Sequence, residues 1–199
     1  MKEEALKKTR IESDLIGSRE IPENAMYGVQ TLRGIENFRI SKFHLNEYPL
    51  FINALAITKM GAAIANYELG LLTEKQVDAI LKACKEILEG KHHEQFPVDM
   101  IQGGAGTSLN MNANEVIANR ANEILGGKKG DYSIVNPNDH VNCGQSTNDV
   151  IPTAGKMTSL RLLKNLKKEL KPLQDDPYGV TDQTDQFLGP QLYTWVELM

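Results

Sequence analysis

Gln102-Gly103-Gly104-Ala105-Gly106-Thr107-Ser108-Leu109-Asn110-Met111-Asn112 packs three glycines into four positions, then turns through two hydroxyls into a helical pattern. Glycines let a backbone come close to a ligand, and a helix start offers unpaired N–H groups to an anion. Thr107 and Ser108 add hydroxyl donors. No Gly-Lys-Ser/Thr follows, so this is not a P-loop, and it lacks the Gly-x-Gly-x-x-Gly spacing of a dinucleotide fingerprint. On local physics alone it is either an anion cradle or a flexible loop with a Thr or Ser N-cap. A second junction lies downstream. In Gly144-Gln145-Ser146-Thr147-Asn148-Asp149, polar side chains run straight into the longest helical pattern of the chain. It too is either an anion site, with N–H groups, a positive helix end and neutral donors, or an N-cap with Asp149 in the first turn. Two such junctions suggest a dianion held at each end by uncharged donors.

Outward from these junctions the pattern is helical. Leu50, Leu55, Ile57, Met60, Ala63 and Ile64 predict a mostly apolar helix from Pro49 to near Gly70. Thr73 with Gln76 three residues on is a capping box. Val77, Ile80, Leu81, Cys84, Ile87 and Leu88 then line one helical face, and Gly90 supplies the stop. Cys84 on that face reads as a small buried hydrophobe rather than a reactive thiol. A helix is expected from about Ser108 to Leu125 and another from about Asn148 to Leu170, the latter ended by Pro172. Residues 1–45 show no lasting helical period and read as irregular and extended segments punctuated by Gly17, Pro22, Gly28 and Gly34. Asn136-Pro137-Asn138-Asp139 reads as a polar loop.

The 199-residue length suits one domain, or one domain and part of a second. Hydrophobic residues at 41% and charged residues at 24% are ordinary for a globular chain. Two cysteines make no disulfide framework, so a reducing compartment is expected. No apolar run reaches the roughly 18 residues of a membrane span, and Met1-Lys2-Glu3-Glu4-Ala5 has no apolar core of a signal peptide. All 22 basic residues, and all but five of the 26 acidic ones, precede residue 174. The near-neutral body gives no reason to expect nucleic-acid binding, and the last 26 residues differ in composition from everything before them. His92-His93-Glu94 has no metal spacing, and His140 with Cys143 lacks further ligands nearby. There is no Gly-x-Ser-x-Gly nucleophile elbow.

Taken together, the glycine-rich run, Asn114-Glu115-Val116-Ile117-Ala118-Asn119, Asn136-Pro137-Asn138-Asp139-His140-Val141-Asn142 and Gln145-Ser146-Thr147-Asn148-Asp149 resemble the aspartate ammonia-lyases of the aspartase/fumarase superfamily. Glu12-Ser13-Asp14-Leu15-Ile16-Gly17-Ser18-Arg19-Glu20, Tyr27-Gly28-Val29-Gln30-Thr31-Leu32-Arg33 and Gln95-Phe96-Pro97-Val98-Asp99 extend the likeness, which runs over about residues 10–172. Class II fumarases share the glycine-rich run, but commonly carry a His where this chain has Asn136.

The resemblance implies a mainly α fold. Residues 1–140 would be the N-terminal lyase domain, and residues 141–173 the start of a central helical bundle. Residues 174–199 would be an acidic tail unlike the family. It implies reversible elimination of ammonia from L-aspartate to give fumarate, in a cytoplasmic homotetramer. Thr107, Ser146, Thr147 and Asn148 would bind the substrate carboxylates and ammonium. Arg19, Arg33, Asn138 and Asp139 would form a secondary or effector carboxylate site. No cofactor is required, although divalent cations activate some members; the partner is a small dicarboxylate, with no nucleic acid and no membrane. The family's Gly-Ser-Ser-x-x-Pro-x-Lys-x-Asn loop, which bears the serine base, does not occur in these 199 residues. The chain alone is therefore expected to resemble a truncated lyase without turnover, self-associating through the stripe of residues 148–170. The alternatives are a class II fumarate hydratase or a non-catalytic interaction fragment.

Overall fold

The computed structural model describes residues 8–174. The order of elements is β1 (Thr9–Asp14), β2 (Gly17–Pro22), α1 (Val29–Asn37), α2 (Pro49–Glu68), α3 (Glu74–Leu88), α4 (Thr107–Ile124) and α5 (Thr147–Gln174), with short 3-10 turns at Leu45–Glu47 and His93–Gln95. The acidic tail expected over residues 174–199 lies, beyond Gln174, outside the described residues. Packing divides the chain at Thr158/Ser159. The first unit carries the hairpin, α1–α4 and the opening turns of α5. Of the second, the described part is the continuation of α5, on which Leu160, Leu162, Leu166 and Leu170 are exposed.

α3 forms as its sequence dictates. Thr73 accepts from the Gln76 N–H, and the Gln76 side chain accepts from the Thr73 N–H at 3.0 Å, so the capping box is complete. Val77, Ile80, Ala83, Cys84 and Ile87 are buried on one face against Ile52, Leu55, Ala56 and Ala63 of α2 and Val116, Ile117 and Ala121 of α4. Each large side chain buried this way contributes about 1.5–3 kcal/mol.

α4 is the polar exception at the centre. Asn110, Asn112, Asn114, Asn119 and Asn122 are all buried on it. A buried carboxamide is costly unless it is bonded; Asn114 donates within α4 to Met111 Sδ, and the others bond outward to other segments. Asn112 Nδ2 donates to the Gln95 carbonyl at 2.9 Å, and Asn119 Nδ2 to the Met26 carbonyl at 2.7 Å. The Asn119 Oδ1 accepts from Gly130 N–H at 2.7 Å. Asn122 exchanges two bonds with the Val135 backbone, at 2.8 and 2.9 Å. One helix thus fixes four segments distant in sequence.

In residues 8–45, expected as irregular and extended segments, the extended part is a hairpin and the departure is the helix α1. β1 and β2 pair antiparallel, with Arg10 opposite Ile21 and Glu12 opposite Arg19. Asp14 closes the turn by accepting from Ile16 and Gly17 N–H at 2.9 and 3.1 Å. α1 is a helix that no local signal announces: its N-cap is Gly28, with no side-chain cap of its own. Buried carboxylates from elsewhere supply the missing acceptors. Glu115 of α4 accepts from Gly28, Gln30 and Thr31 N–H at 2.8, 2.8 and 3.0 Å, and Glu12 of β1 accepts from Val29 N–H at 3.1 Å. Burial raises the Glu115 pKa, opposed by the bonds from Thr31, Gln30 and Gly28.

Two further expectations are corrected. The polar loop expected at Asn136–Asp139 is helical instead: Pro137–Val141 forms one π-helical turn, and the Asn136 side chain caps it by accepting from Asn138 and Asp139 N–H at 2.8 and 3.1 Å. Pro172 does not end α5, which continues to Gln174. A proline forfeits one backbone bond to the residue four before it, and the helix continues on its remaining ladder.

Candidate functional site

The structure brings the two helix starts together. Gly106 is the N-cap of α4 with φ of 86°, a left-handed conformation that favours glycine, and a Cβ there would lie 3.4 Å from the Ile151 side chain of α5. Ser108 faces inward, where a Cβ on Gly34 of α1 would meet it at 2.9 Å. Thr107 is exposed. At the start of α5, Ser146 and Asn148 are exposed and Thr147 is half-buried. Ser146 Oγ accepts from Asn148 N–H at 3.1 Å. The two starts are tied directly: Asn110 Nδ2 donates to Thr147 Oγ1 at 3.1 Å and to Asn142 Oδ1 at 3.0 Å. Two positive helix ends with hydroxyl and carboxamide donors therefore open beside each other, an arrangement suited to a carboxylate.

Beneath this lies a residue that no sequence motif marks. Lys59 of α2 is 0% exposed. Its Nζ donates to Asn142 Oδ1 at 3.0 Å and to Gln145 Oε1 at 2.9 Å. Gln145 in turn donates to the Val141 carbonyl at 2.8 Å, and Asn142 to the Gln145 carbonyl at 3.1 Å. Burial pulls the Lys59 pKa down to about 7, partly offset by Cys84. Cys84 is fully buried, its thiol pushed up to about 12 by burial. The signal for Lys59 in the sequence is that α2 carries no other charge except the terminal Glu68.

The residues expected to form a secondary carboxylate site are placed as follows. Arg33 forms a two-pronged pair with Asp14, at 2.7 and 2.8 Å, and also donates to the Gly17 carbonyl at 3.0 Å. The Arg33 bond holds the Asp14 carboxyl down at about 2. Exposed Arg19 lies 3.6 Å from Glu36. Asn138 and Asp139 expose their side chains on the π-helical turn. Among the described residues, no hydrogen bond or ion pair joins either arginine to Asn138 or Asp139.

Residues 17–177 match the family model described as Lyase, and the chain belongs to that family. Its relatives point more narrowly. Over 180 residues it is 54% identical to the aspartate ammonia-lyase of Bacillus subtilis, covering 90% of this chain and 37% of that protein. The aspartate ammonia-lyase of a Bacillus species is 51% identical over the same shares, and that of Escherichia coli is 48% identical over 83% of this chain and 35% of its own. The chain thus spans little more than a third of the length of these curated relatives. Among solved structures, a fumarate lyase:delta crystallin from Brucella melitensis bound to cobalt superposes with a TM-score of 0.81 at 52% identity, covering 82% of this chain and 36% of that one. A class II fumarase from Schistosoma mansoni superposes with a TM-score of 0.71 at 38% identity, covering 76% and 32%. The mainly α fold is that of the N-terminal part of these lyases.

Proposed function

We propose that this chain carries the carboxylate-binding part of an aspartate ammonia-lyase, which eliminates ammonia from L-aspartate to give fumarate. The observation that carries the reading is the meeting of the α4 and α5 starts through Asn110 and Thr147. Identities of about half to relatives of that one activity support it over the fumarase, whose likeness is 38%.

In this elimination a base removes a proton from Cβ, charge builds on the adjacent carboxylate, and the amine leaves. The hard step is stabilising that dianionic aci-carboxylate, and preorganised donors aimed at the developing charge are the effective means. Thr107, Ser146, Thr147 and Asn148 are the proposed donors. Their neutrality matters. They stabilise added charge by hydrogen bonds and by two helix ends, without an ion pair that would hold the ground-state carboxylate equally well. No cofactor enters this scheme. Cytoplasmic location and a homotetramer, assembled through α5, belong to the same proposal, as do the division at residue 140 and the secondary site at Arg19, Arg33, Asn138 and Asp139.

Binding and turnover test it separately. Succinate and L-aspartate titrated into the labelled chain should shift the amides of Thr107 and Ser146–Asn148. Fumarate absorbance should stay flat with both L-aspartate and L-malate, because no residue here matches the base loop. Shifts confined to other residues would remove the proposed site, and turnover of malate in preference to aspartate would favour the hydratase.

A further inference from the structure

We propose that Lys59 is the buried positioning residue of the dicarboxylate site: it fixes Asn142 and Gln145, and through them the Ser146–Asn148 turn, and it places a positive charge beneath the bound dianion. This rests on the lyase reading of that turn.

The geometry supplies the grounds. A fully buried lysine is rare unless paired, and among the described residues no carboxylate lies within ion-pair distance of Lys59. Its two partners are both neutral carboxamide oxygens, and both belong to the segment leading into α5. An uncharged amine has two N–H groups, so two acceptors satisfy it and leave a third proton unplaced. The groups packed around it do little to hold that third proton. α3 presents Cys84, and α4 presents Asn110, which is uncharged. In the leading segment His140 is engaged with Gln76 and Asn136, Cys143 offers its carbonyl to Asn66 and Gln145, and Asp139 and Asp149 are exposed. A dianion on the Ser146–Asn148 turn supplies the negative charge that the free site lacks. Binding and protonation of Lys59 are then linked, each favouring the other by the same factor.

The test uses the full chain with 13C-labelled lysine and succinate as the probe. The Lys59 Cε resonance should titrate near neutrality, and its midpoint should rise by at least one pH unit with succinate bound. Succinate affinity should fall about tenfold from pH 6 to pH 9. Lys59→Met should bind succinate at least tenfold more weakly at pH 6 and lose the pH dependence. Should that variant fail to fold, the wild-type midpoint alone decides. Succinate shifts at Ser146–Asn148 with an unmoved Lys59 midpoint would overturn the inference and leave the lyase reading standing. Absence of any succinate response at that turn would overturn both.

Discussion

α1 and α5 begin in opposite ways. At α1, four consecutive N–H groups, from Gly28 to Thr31, are all taken by the buried carboxylates of Glu12 and Glu115. At α5, Asp149 of the first turn is exposed, no buried carboxylate takes the N–H groups among the described residues, and the turn is held from below by Lys59, Asn142 and Asn110. Both starts have the same backbone dipole. The first has its anion built in and is part of the fold; the second is bonded locally, with Asn148 N–H donating to Ser146 Oγ, and is the start proposed to meet a carboxylate. A positive helix end is informative about function only once its internal partners have been counted.

The contrast can be broken at the sealed end first. Glu115→Ala should cost about 3–5 kcal/mol in urea unfolding, because three buried N–H groups lose their acceptor. A cost below 1 kcal/mol would show that water replaces the carboxylate and that the start is not sealed. The open end should respond in the other currency. Thr147→Val should weaken succinate binding about tenfold, or about 1.4 kcal/mol, while costing under about 1 kcal/mol of stability through the lost Asn110 bond. Equal losses in both would make Thr147 a structural residue like Glu115.

A carboxylate with an ordinary ion-pair partner gives the next smaller effect. Arg120, with help from His92, holds the Glu86 carboxyl at about 2 against an ordinary 4.5. Such a depressed group contributes fully above 4.5 and is lost as pH falls through 2. Glu86→Gln should therefore flatten stability over that window by about 1–2 kcal/mol, and an unchanged acid limb would contradict the pairing. Smallest is the locally capped start of α3, where Thr73→Ala should cost about 0.5–1 kcal/mol by thermal unfolding. A larger loss would mean that Thr73 does more than cap.

These three kinds of helix start also explain what was legible in the sequence. α3 was readable because its cap, Thr73 and Gln76, lies within three residues of itself. α1 was missed because its cap lies 84 to 87 residues away at Glu115, beyond any local window. Pro172 signals a stop under a rule for helix interiors, yet α5 is helical through Gln174, the last described residue. At the site, Thr107, Ser146, Thr147 and Asn148 stood out because glycines and hydroxyls announce a junction. That Thr107 is exposed while Ser108 turns toward α1, and that the two junctions meet, are facts of tertiary packing. Lys59 is visible only as the one charge before the terminal Glu68 of a mostly apolar helix, and its two partners lie more than 80 residues on.

The asparagines of α4 have a consequence in time as well as in space. Asn119 reaches back 93 residues to Met26 and Asn112 reaches back 17 to Gln95, whereas the capping box of α3 spans three. Bonds that close long loops form only after the loop entropy has been met, so α3 should be ordered early and the N-terminal segments should dock late. Late contacts govern escape from the native state rather than entry to it. Asn119→Ala should therefore quicken unfolding and leave the folding rate nearly untouched in stopped-flow measurements; a folding arm slowed in proportion to the lost stability would put that docking in the nucleus. The carboxamides that hold the loops in place thus also set how long the assembled molecule lasts.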